Sequence, residues 1–287
     1  MSEHFIKHKK LNRSLGGSIF LFFIIGAFAV FMLIPMVYAV SSSLKPLNEL
    51  WIFPPRIFVK NPTLKNYTDL FRLMSDSWVP FTRYFFNTLL VSVSGTFGHV
   101  LLASMCAYSM SKLKFSGSNV IFKIIVMSLM FSSSVTAIPN FIIITKLKLL
   151  NTYFALILPA FAAPLGLYLM KQFMETLIPD SLLEAAKIDG ANEGLIFFKI
   201  VMPLVKPAWL TLVIFSFQSL WSCGSNMYIQ SEQLKTLNYA ISQIISGGIS
   251  RAGAGSAAVV VMMIVPIVVF VLTQSNVVET MATSGLK

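Results

Sequence analysis

One acidic stretch, residues 174–207, holds the side chains best suited to polar chemistry or polar contacts, and long apolar runs flank it on both sides. Five of the chain's eleven acidic residues lie there, namely Glu175, Asp180, Glu184, Asp189 and Glu193. No catalytic dyad, metal-ligand cluster or nucleotide-binding motif is recognisable in the chain. The pattern therefore predicts a solvated, folded loop with a function other than catalysis.

Two short helices separated by a glycine turn are predicted within this stretch. Ser181 and Glu184 have the spacing of a capping box, in which each side chain satisfies a backbone donor at the start of a helix. Gly190 stands where a residue in the left-handed conformation ends a helix most readily. Asn192 is placed to cap the second helix, which runs towards Pro203.

The cysteines and the remaining glycines add no catalytic residue and no metal ligand. Cys106 and Cys223 lie far apart without metal-ligand spacing, so neither a disulfide scaffold nor a zinc site is predicted. The glycine-rich run 246–258 lacks the Gly-Lys-Ser/Thr ending of a phosphate-binding loop, and we predict a flexible external loop there. The chain is therefore predicted not to be an enzyme and to bind no cofactor itself.

The composition is that of a polytopic membrane protein. Of 287 residues, 56% are hydrophobic and only 11% are charged, with a mean hydropathy of +0.76. Soluble domains carry roughly 25% charged residues. The net charge of +11 is dispersed beside apolar segments, which favours contact with anionic lipid headgroups over nucleic acid.

Six apolar runs are each about long enough to cross the roughly 30 Å hydrocarbon core of a bilayer. They are residues 19–40, 85–110, 120–145, 153–173, 203–221 and 257–273. The predicted fold is an all-α integral membrane protein with six transmembrane helices, formed by one domain (18–287) behind an N-terminal segment (1–17). The predicted connections are an external loop 41–83, the acidic loop 174–202, an external loop 222–256 and a tail 274–287.

Polar and aromatic side chains inside the predicted spans are the candidates for a translocation path. They are His99, Ser133, Asn140, Phe217, Gln218 and Trp221. Small-molecule sites combine aromatic faces with hydrogen-bonding groups, and these residue types supply both. Two alternatives stay open: His99 is either a packed interior residue or a ligand-binding one, and the hydroxyls around Ser133 either line a path or bond to neighbouring helices.

The acidic stretch resembles the cytoplasmic "EAA" loop of ABC importer permeases. The resemblance rests on Glu184-Ala185-Ala186, Asp189-Gly190-Ala191, Ile200 and Met202-Pro203, with Met202 where the family usually has leucine. In that family the loop seats in a groove of the ATP-hydrolysing subunit. The coupling residues that the resemblance implies are Ser181, Glu184, Ala185, Ala186, Asp189, Gly190, Ala191, Ile200 and Pro203. The alternative is an amphipathic helix pair that lies on the membrane without a partner.

Other segments resemble the carbohydrate-uptake branch of these permeases, and within it the permeases for oligosaccharides. They are SSSLKP (41–46), FQSLWS (217–222), SEQLKTL (231–237) and the tail from residue 275. The resemblance implies the type I permease fold, an extracytoplasmic solute-binding protein and two ATPase subunits that hold ATP and Mg. It also implies a bacterial inner membrane, both termini in the cytoplasm, and a saccharide substrate.

A second permease subunit follows from the presence of a single acidic loop. ABC ATPases act as a pair with one docking groove each, whereas only one such loop occurs here. We expect a heterodimer, because a two-fold symmetric cavity suits a directional glycan poorly. Other classes that remain open are an ion-coupled secondary transporter, a non-transporting membrane scaffold, and an ABC permease for a non-sugar solute. No carboxylate lies at mid-span, which disfavours ion coupling.

Overall fold

A computed structural model describes residues 15–75, 78–113, 115–224 and 227–284, and all regular structure in these ranges is helical. The prediction of an all-α fold is confirmed. Most of the predicted N-terminal segment, residues 1–14, lies outside the described residues, as do the last three residues of the predicted tail.

The first half of the chain contains six helices and a π-helical extension. They are α1 (Leu15–Leu44), α2 (Leu47–Leu50), α3 (Lys65–Ser75), α4 (Phe81–Tyr108) extended by a π-helical turn (Ser109–Leu113), α5 (Ser118–Ser128) and α6 (Ser133–Lys146). The first helix runs past the predicted end of its span, and the connection that follows contains two helices of its own.

The second half contains eight further helices. They are α7 (Phe154–Phe161), α8 (Pro164–Leu177), α9 (Asp180–Ile188), α10 (Glu193–Leu195) with a π-helical turn (Ile196–Val201), α11 (Met202–Leu204), α12 (Lys206–Trp221), α13 (Leu237–Ile245) and α14 (Ala252–Ser284). Short 3-10 turns occur at Glu232–Leu234 and Ile249–Arg251. The helix α14 extends through most of the segment predicted to be a tail.

Four helices in the described residues are long and apolar enough to cross a membrane. A fifth is obtained if the pair Glu193–Leu204 and Lys206–Trp221, bent by 80°, counts as one span. The predicted third span is not one helix, because α5 ends at Ser128 and α6 begins only at Ser133. Ser132 is the N-cap residue of α6 and has an extended backbone, so a helix boundary falls there.

The predicted fourth span is interrupted between α7 and α8. Pro164 is the first residue of α8, where a missing N–H costs least, and Ala163 before it is extended. The two halves still form a nearly continuous apolar segment from Phe154 to Leu177. The proline at the start of α8 therefore interrupts this span without ending it.

Helix α4 is the centre of the bundle, with α12, α8 and α7 packed around it. Its buried face consists of small and polar residues, including Val91, Ser92 and Ala103. Small side chains let neighbouring helices approach closely, which is how helices associate inside a membrane where the hydrophobic effect between them is weak. The outward face of α4 is apolar, with exposed Phe86, Val93 and Phe97.

The prediction of a flexible loop at the glycine-rich run 246–258 is wrong for its second half, whereas residues 246–251 are exposed and lie before α14. From Ala252 onward the run is the first part of α14, and Ala254, Ala257 and Ala258 are buried. They pack against Leu70 and other buried residues of α3 and α13. Their small side chains allow this close packing, which outweighs the low helix propensity of glycine.

The connection between α12 and α13 is held in place by polar side chains of α4 and of the turn before α7. Asn87 donates from Nδ2 to the carbonyl oxygens of Gln233 (2.8 Å) and Lys235 (2.9 Å). The hydroxyl of Tyr153 donates to Asn87 Oδ1 at 2.7 Å. Thr88 Oγ1 accepts from the amide of Leu237 at 2.7 Å. This side of the bundle, where α1 ends, therefore carries a fixed polar layer.

Candidate coupling loop and translocation path

Helix α9 begins at Asp180, one residue before the predicted cap. Its N-cap is Pro179, which has no acceptor side chain, so the capping box predicted for Ser181 and Glu184 does not form. The ring of Pro179 fixes its φ angle, and its extended backbone leads directly into the helix. The helix therefore starts earlier in the chain than the capping box predicted. Asp180 in the first turn accepts a charge-assisted hydrogen bond from Lys112 Nζ at 2.7 Å. Lys112 also donates to the carbonyl of Ile178 at 2.6 Å, which ties α9 to the end of α4.

Gly190 ends α9 as predicted. Its φ is +82°, in the left-handed region, and its amide donates to the carbonyl of Lys187 at 3.0 Å. The amide of Ala191 donates to the carbonyl of Ala186 at 3.0 Å, which completes a Schellman motif. A Cβ placed on Gly190 would meet no atom within 4 Å, so the need for glycine here is conformational and not steric.

Asn192 caps the following helix as predicted, since its Oδ1 accepts from the amide of Leu195 at 2.8 Å. The next residue, Glu193, joins the loop to itself and to the bundle. Its Oε1 lies 2.7 Å from Lys187 Nζ on α9, and its Oε2 accepts from the Tyr108 hydroxyl of α4 at 2.7 Å. Glu193 therefore fixes the angle between the two loop helices and α4.

One face of this helix–turn–helix is packed and the other is free. Leu183, Ala186, Ile196 and Phe197 are buried in one apolar cluster with Tyr108, Met174 and other residues of α4 and α8. The opposite face exposes predicted coupling residues, namely Ser181, Glu184, Ala185, Asp189 and Gly190. Ile188, the last residue of α9, is 87% exposed. The loop thus presents a rigid projection with an acidic and apolar surface.

The rest of the predicted coupling set lies at the base of the projection. Ala191 and Ile200 are partly buried against the apolar cluster, and Pro203 is exposed. The predicted fifth span does not start at Pro203, because the chain bends by 80° between Leu204 and Lys206. The indole Nε1 of Trp209 donates to the carbonyl of Met202 across this bend at 3.1 Å. Pro207 then stands in the first turn of α12, where proline is tolerated.

Helix α12 carries a polar face that is largely exposed. Gln218 and the adjacent Ser219 are exposed, Ser222 follows about one turn later and is exposed too, and the half-buried Ser216 precedes them. The two predicted aromatic path residues, Phe217 and Trp221, lie on another side and stack on each other with ring centroids 5.7 Å apart. Trp221 is only 1% exposed, so its ring has no free face.

A cavity of about 470 Å³ separates α12 from α14 and brings together three predicted path residues, Phe217, Gln218 and Trp221. Its other wall includes Met262, Met263 and Pro266, none of which was predicted. These residues are apolar, as are residues that face lipid, so the sequence alone does not indicate that they line a cavity. Asn140 lies apart on α6 and lines neither this cavity nor that of His99, and the side chain of Ser133 lies outside those that the structure describes.

His99 is buried in the bundle core, 2% exposed, which agrees with its reading as a packed interior residue. Its Nδ1 lies 3.4 Å from the carbonyl oxygen of Phe161, the last residue of α7. That carbonyl is close to the break before Pro164, where helix hydrogen bonds are missing. A Cβ on Gly166 would lie 2.2 Å from His99 Nε2, so glycine is required for the close approach.

The cavity beside His99, about 160 Å³, lies between α4, α8 and α12 and is separate from the larger one. Ser216 and Ser219 line it together with His99. Among the described residues, no three His, Cys, Asp or Glu side chains come together as a metal site. Both cysteines are free. The arrangement therefore provides hydrogen-bonding groups and two cavities along α12. It also provides an exposed helical surface at α9 to which a partner could dock.

The model of the family "Binding-protein-dependent transport system inner membrane component" matches residues 99–281. The chain is 30% identical to an arabinooligosaccharides transport system permease protein of Halalkalibacterium halodurans, over 91% of this chain and 94% of the relative. It is 31% identical to a polygalacturonan/rhamnogalacturonan transport system permease protein of Bacillus subtilis, over 80% of each chain.

Among solved structures, the fold is similar to a bacterial ABC transporter involved in the import of the acidic polysaccharide alginate. The TM-score is 0.75 at 24% identity, and the match covers 92% of this chain and 98% of the other. This agreement supports the type I permease architecture of the helices described above. The acidic loop, the helical bundle and the matched family model together lead to one conclusion: the chain belongs to the inner-membrane permease components of binding-protein-dependent ABC transport systems.

Proposed function

We propose that this chain is the permease subunit of an ATP-driven importer for a saccharide, that it forms one half of the translocation path, and that it couples to the ATPase through α9–α10. The observation that carries the proposal is the projection at α9, which is fixed by a buried cluster on one face and left free on the other. Two relatives named for oligosaccharide or polysaccharide transport support the substrate class.

The free face of α9 suits insertion into a groove of a partner. Ile188 supplies an apolar contact at the end of α9, while Glu184 and Asp189 supply charges near it. Such a combination of a buried anchor and a polar rim is typical of specific protein interfaces. Movement of an ATPase groove would be passed on to α4 through Lys112 and Glu193, because both tie the loop to that helix.

The exposed polar face of α12 supports its assignment to the path. Hydrocarbon gives Gln218, Ser219 and Ser222 no hydrogen-bonding partners, so this face is expected to turn towards a water-filled cavity or a second subunit. A saccharide offers many hydroxyl groups, which amide and hydroxyl side chains match. Phe217 and Trp221 stack on each other and hold this part of α12 in place. His99 contacts the end of α7 and packs inside the bundle.

In the proposed assembly a homologous but distinct second permease completes the path, two ATPase subunits hold ATP and Mg, and a solute-binding protein delivers the sugar. We infer six crossings, with the α9–α10 loop and both termini in the bacterial cytoplasm. Here α5 and α6 together form the third crossing, and α10 to α12 the fifth. Cysteine substitutions at Asp189 and Asn61, in a background lacking Cys106 and Cys223, test this sidedness with an impermeant thiol reagent on intact cells. Labelling of Asn61→Cys alone is expected, and labelling of Asp189→Cys would refute the orientation.

Reconstitution tests the function directly. The chain, a second permease, the ATPase pair and the binding protein are placed in proteoliposomes, and ATP hydrolysis and uptake are measured with oligosaccharides. We expect Glu184→Lys to abolish both, whereas Gln172→Lys, which introduces a lysine on the exposed face of α8, leaves them intact. Uptake without the ATPases would indicate a secondary transporter. Full transport without the second permease would show that a homodimer suffices.

A further inference from the structure

The segment 51–60, which follows α2, exposes several large apolar side chains outside the long helices. Phe53 is 91% exposed, Phe58 is 74% exposed and Trp51 is 58% exposed. Ile52 and Ile57 between them are also exposed. An exposed aromatic cluster of this size in a soluble environment would be a liability, so it marks a contact surface. We call residues 51–60 the aromatic loop.

The aromatic loop is held in one shape by buried polar contacts at its base. The amide of Thr63 donates to the carbonyl of Leu44 at 2.9 Å, which closes the excursion on the end of α1. Glu49 is buried, and its Oε1 accepts from the amide of Lys60 at 2.7 Å. The ammonium of Lys45, also buried, donates to the carbonyl of Arg56. The exposed rings are therefore displayed by a fixed scaffold.

The position of this scaffold follows from α1. Apolar side chains of α1 from Ile19 to Val40 are exposed along nearly its whole length, as expected for a helix that contacts lipid. Both ends of the excursion meet at Leu44, just past that apolar run. The aromatic loop therefore leaves the bundle at the level where α1 leaves the hydrocarbon core. Trp78, 82% exposed before the start of α4, lies on the same side of the bundle.

The charges of the aromatic loop match a particular kind of surface. Arg56 and Lys60 are exposed beside the rings. Between residues 45 and 68 the only carboxylate is Glu49, which is buried and accepts from backbone amides. The exposed charge is thus positive. Tryptophan and aromatic rings favour the headgroup region of a bilayer, and each nearby Lys or Arg adds attraction to anionic lipids.

We propose that the aromatic loop is a membrane-interface anchor that binds anionic phospholipid. Trp51, Phe53 and Phe58 lie among the upper acyl and glycerol groups, and Arg56 and Lys60 contact lipid phosphates. The loop continues the lipid-contacting surface of α1, which favours the bilayer over a protein as its occupant. The inference depends on α1 crossing the membrane and not on what the chain transports.

Spin labelling tests the anchor in the assembled complex. Phe53→Cys and Phe58→Cys, in a background lacking Cys106 and Cys223, are labelled with a nitroxide in nanodiscs. Accessibility to molecular oxygen, which concentrates in the bilayer, is compared with accessibility to a water-soluble nickel chelate. Gln230→Cys is the control, because it is exposed on the same side in a polar connection. We expect the oxygen-to-nickel ratio at residues 53 and 58 to exceed the control several-fold, and a ratio equal to the control would refute the proposal.

Lipid charge tests the cationic part. The ratio at residue 58 is expected to rise when phosphatidylcholine is replaced by phosphatidylglycerol, and this rise is expected to disappear in Arg56→Gln/Lys60→Gln. The charge-conserving pair Arg56→Lys/Lys60→Arg should retain it. An equal ratio in both lipids for the wild-type loop would overturn the anionic preference. Protection of both sites from both reagents only after addition of the solute-binding protein would assign the surface to that protein instead.

Discussion

The indole of Trp221 on α12 donates from Nε1 to the carbonyl oxygen of Met262 on α14 at 3.0 Å. In a regular helix that carbonyl accepts from the amide four residues later, but the residue there is Pro266, which has no N–H. Trp221 therefore supplies the donor that α14 lacks. An unsatisfied carbonyl group is costly inside a bilayer, so this hydrogen bond stabilises α14 at its proline. It also joins the two walls of the α12–α14 cavity.

The first prediction is that Trp221→Phe destabilises the protein by about 1–3 kcal/mol, the usual cost of leaving a buried acceptor unpaired. Pro266→Ala introduces a backbone N–H that donates to the Met262 carbonyl oxygen. The loss of stability caused by Trp221→Phe is therefore expected to be smaller in the Pro266→Ala background. Thermal unfolding in detergent of the two single variants and the double variant measures the coupling. Pro35→Ala, a proline substitution in α1, is the control and should combine additively with Trp221→Phe. Additive effects with Pro266→Ala would contradict the assignment.

Gly190 is predicted to be irreplaceable for conformational reasons alone. Gly190→Val and Gly190→Ala place an L side chain at a φ of +82°, which costs roughly 1–2 kcal/mol and tilts α10 away from α9. Gly190→Asn should be milder, because asparagine tolerates this region. We expect ATPase stimulation to fall in the order Asn, Ala, Val at this position. Gly194→Ala is the matched control, since a Cβ there meets only ordinary contact. Wild-type coupling in Gly190→Val would show that the turn is dispensable.

The capping prediction distinguishes two polar residues of the same loop. Asn192→Ala removes the acceptor of the Leu195 amide and is expected to cost about 1 kcal/mol locally. Ser181→Ala removes no cap and should stay within about 0.5 kcal/mol of the wild type. Hydrogen exchange of the peptide covering residues 193–200 measures the difference. Equal exchange in the two variants would mean that the Asn192 cap does not stabilise the loop.

Glu232 lies outside the membrane-spanning helices, in the connection that α4 holds. Burial raises the pKa of its carboxyl, but hydrogen bonds from Lys235 and Tyr84 together with the charge of Lys235 outweigh this and leave the pKa below its ordinary value of 4.5. The ammonium of Lys235 lies 2.8 Å from Glu232 Oε2, and the Tyr84 hydroxyl 2.7 Å from Oε1. The ionised carboxylate is thus the form that the folded protein prefers.

A pKa lowered by folding adds stability that is present above pH 4.5 and is lost as the pH falls through the folded value. Glu232→Gln is therefore expected to make the melting temperature less sensitive to acid below that pH, with a loss of at most about 1 kcal/mol at neutral pH because the pair is partly solvated. Lys235→Gln should flatten the acid dependence in the same way. Melting curves between pH 3 and 7 measure this, and slopes identical to those of the wild type would disprove the role.

The polar face of α12 is tested through uptake affinity. Gln218→Ala removes one hydrogen-bonding group from the proposed path and should raise the apparent KM about 2- to 10-fold, as expected for one hydrogen bond. Val93→Ala, on the apolar outward face of α4, should leave KM unchanged. If Gln218→Ala and Ser219→Ala both transport with wild-type KM, this face meets the second permease instead of the sugar.

The class of the protein and the local structure of its coupling loop were predictable from the order of the amino acids. Low charge and six apolar runs require a membrane bundle, since only helices satisfy their own backbone in lipid. Gly190 and Asn192 were predictable because a left-handed helix stop and an N-cap depend on a few neighbouring residues. Ser181 was mispredicted within the same short range, since Pro179 moved the helix start.

Which helix faces are packed and which are exposed depends on the tertiary structure. Trp221 and Gln218 are three residues apart on one helix, yet contact with α14 buries the first and leaves the second exposed. The glycine-rich run reads locally as a loop, but packing of Ala254 and Ala257 against α3 and α13 makes it helical. The bend at residue 205 likewise depends on Trp209 reaching the Met202 carbonyl. Such choices depend on contacts between distant residues, which periodicity and local propensity do not encode.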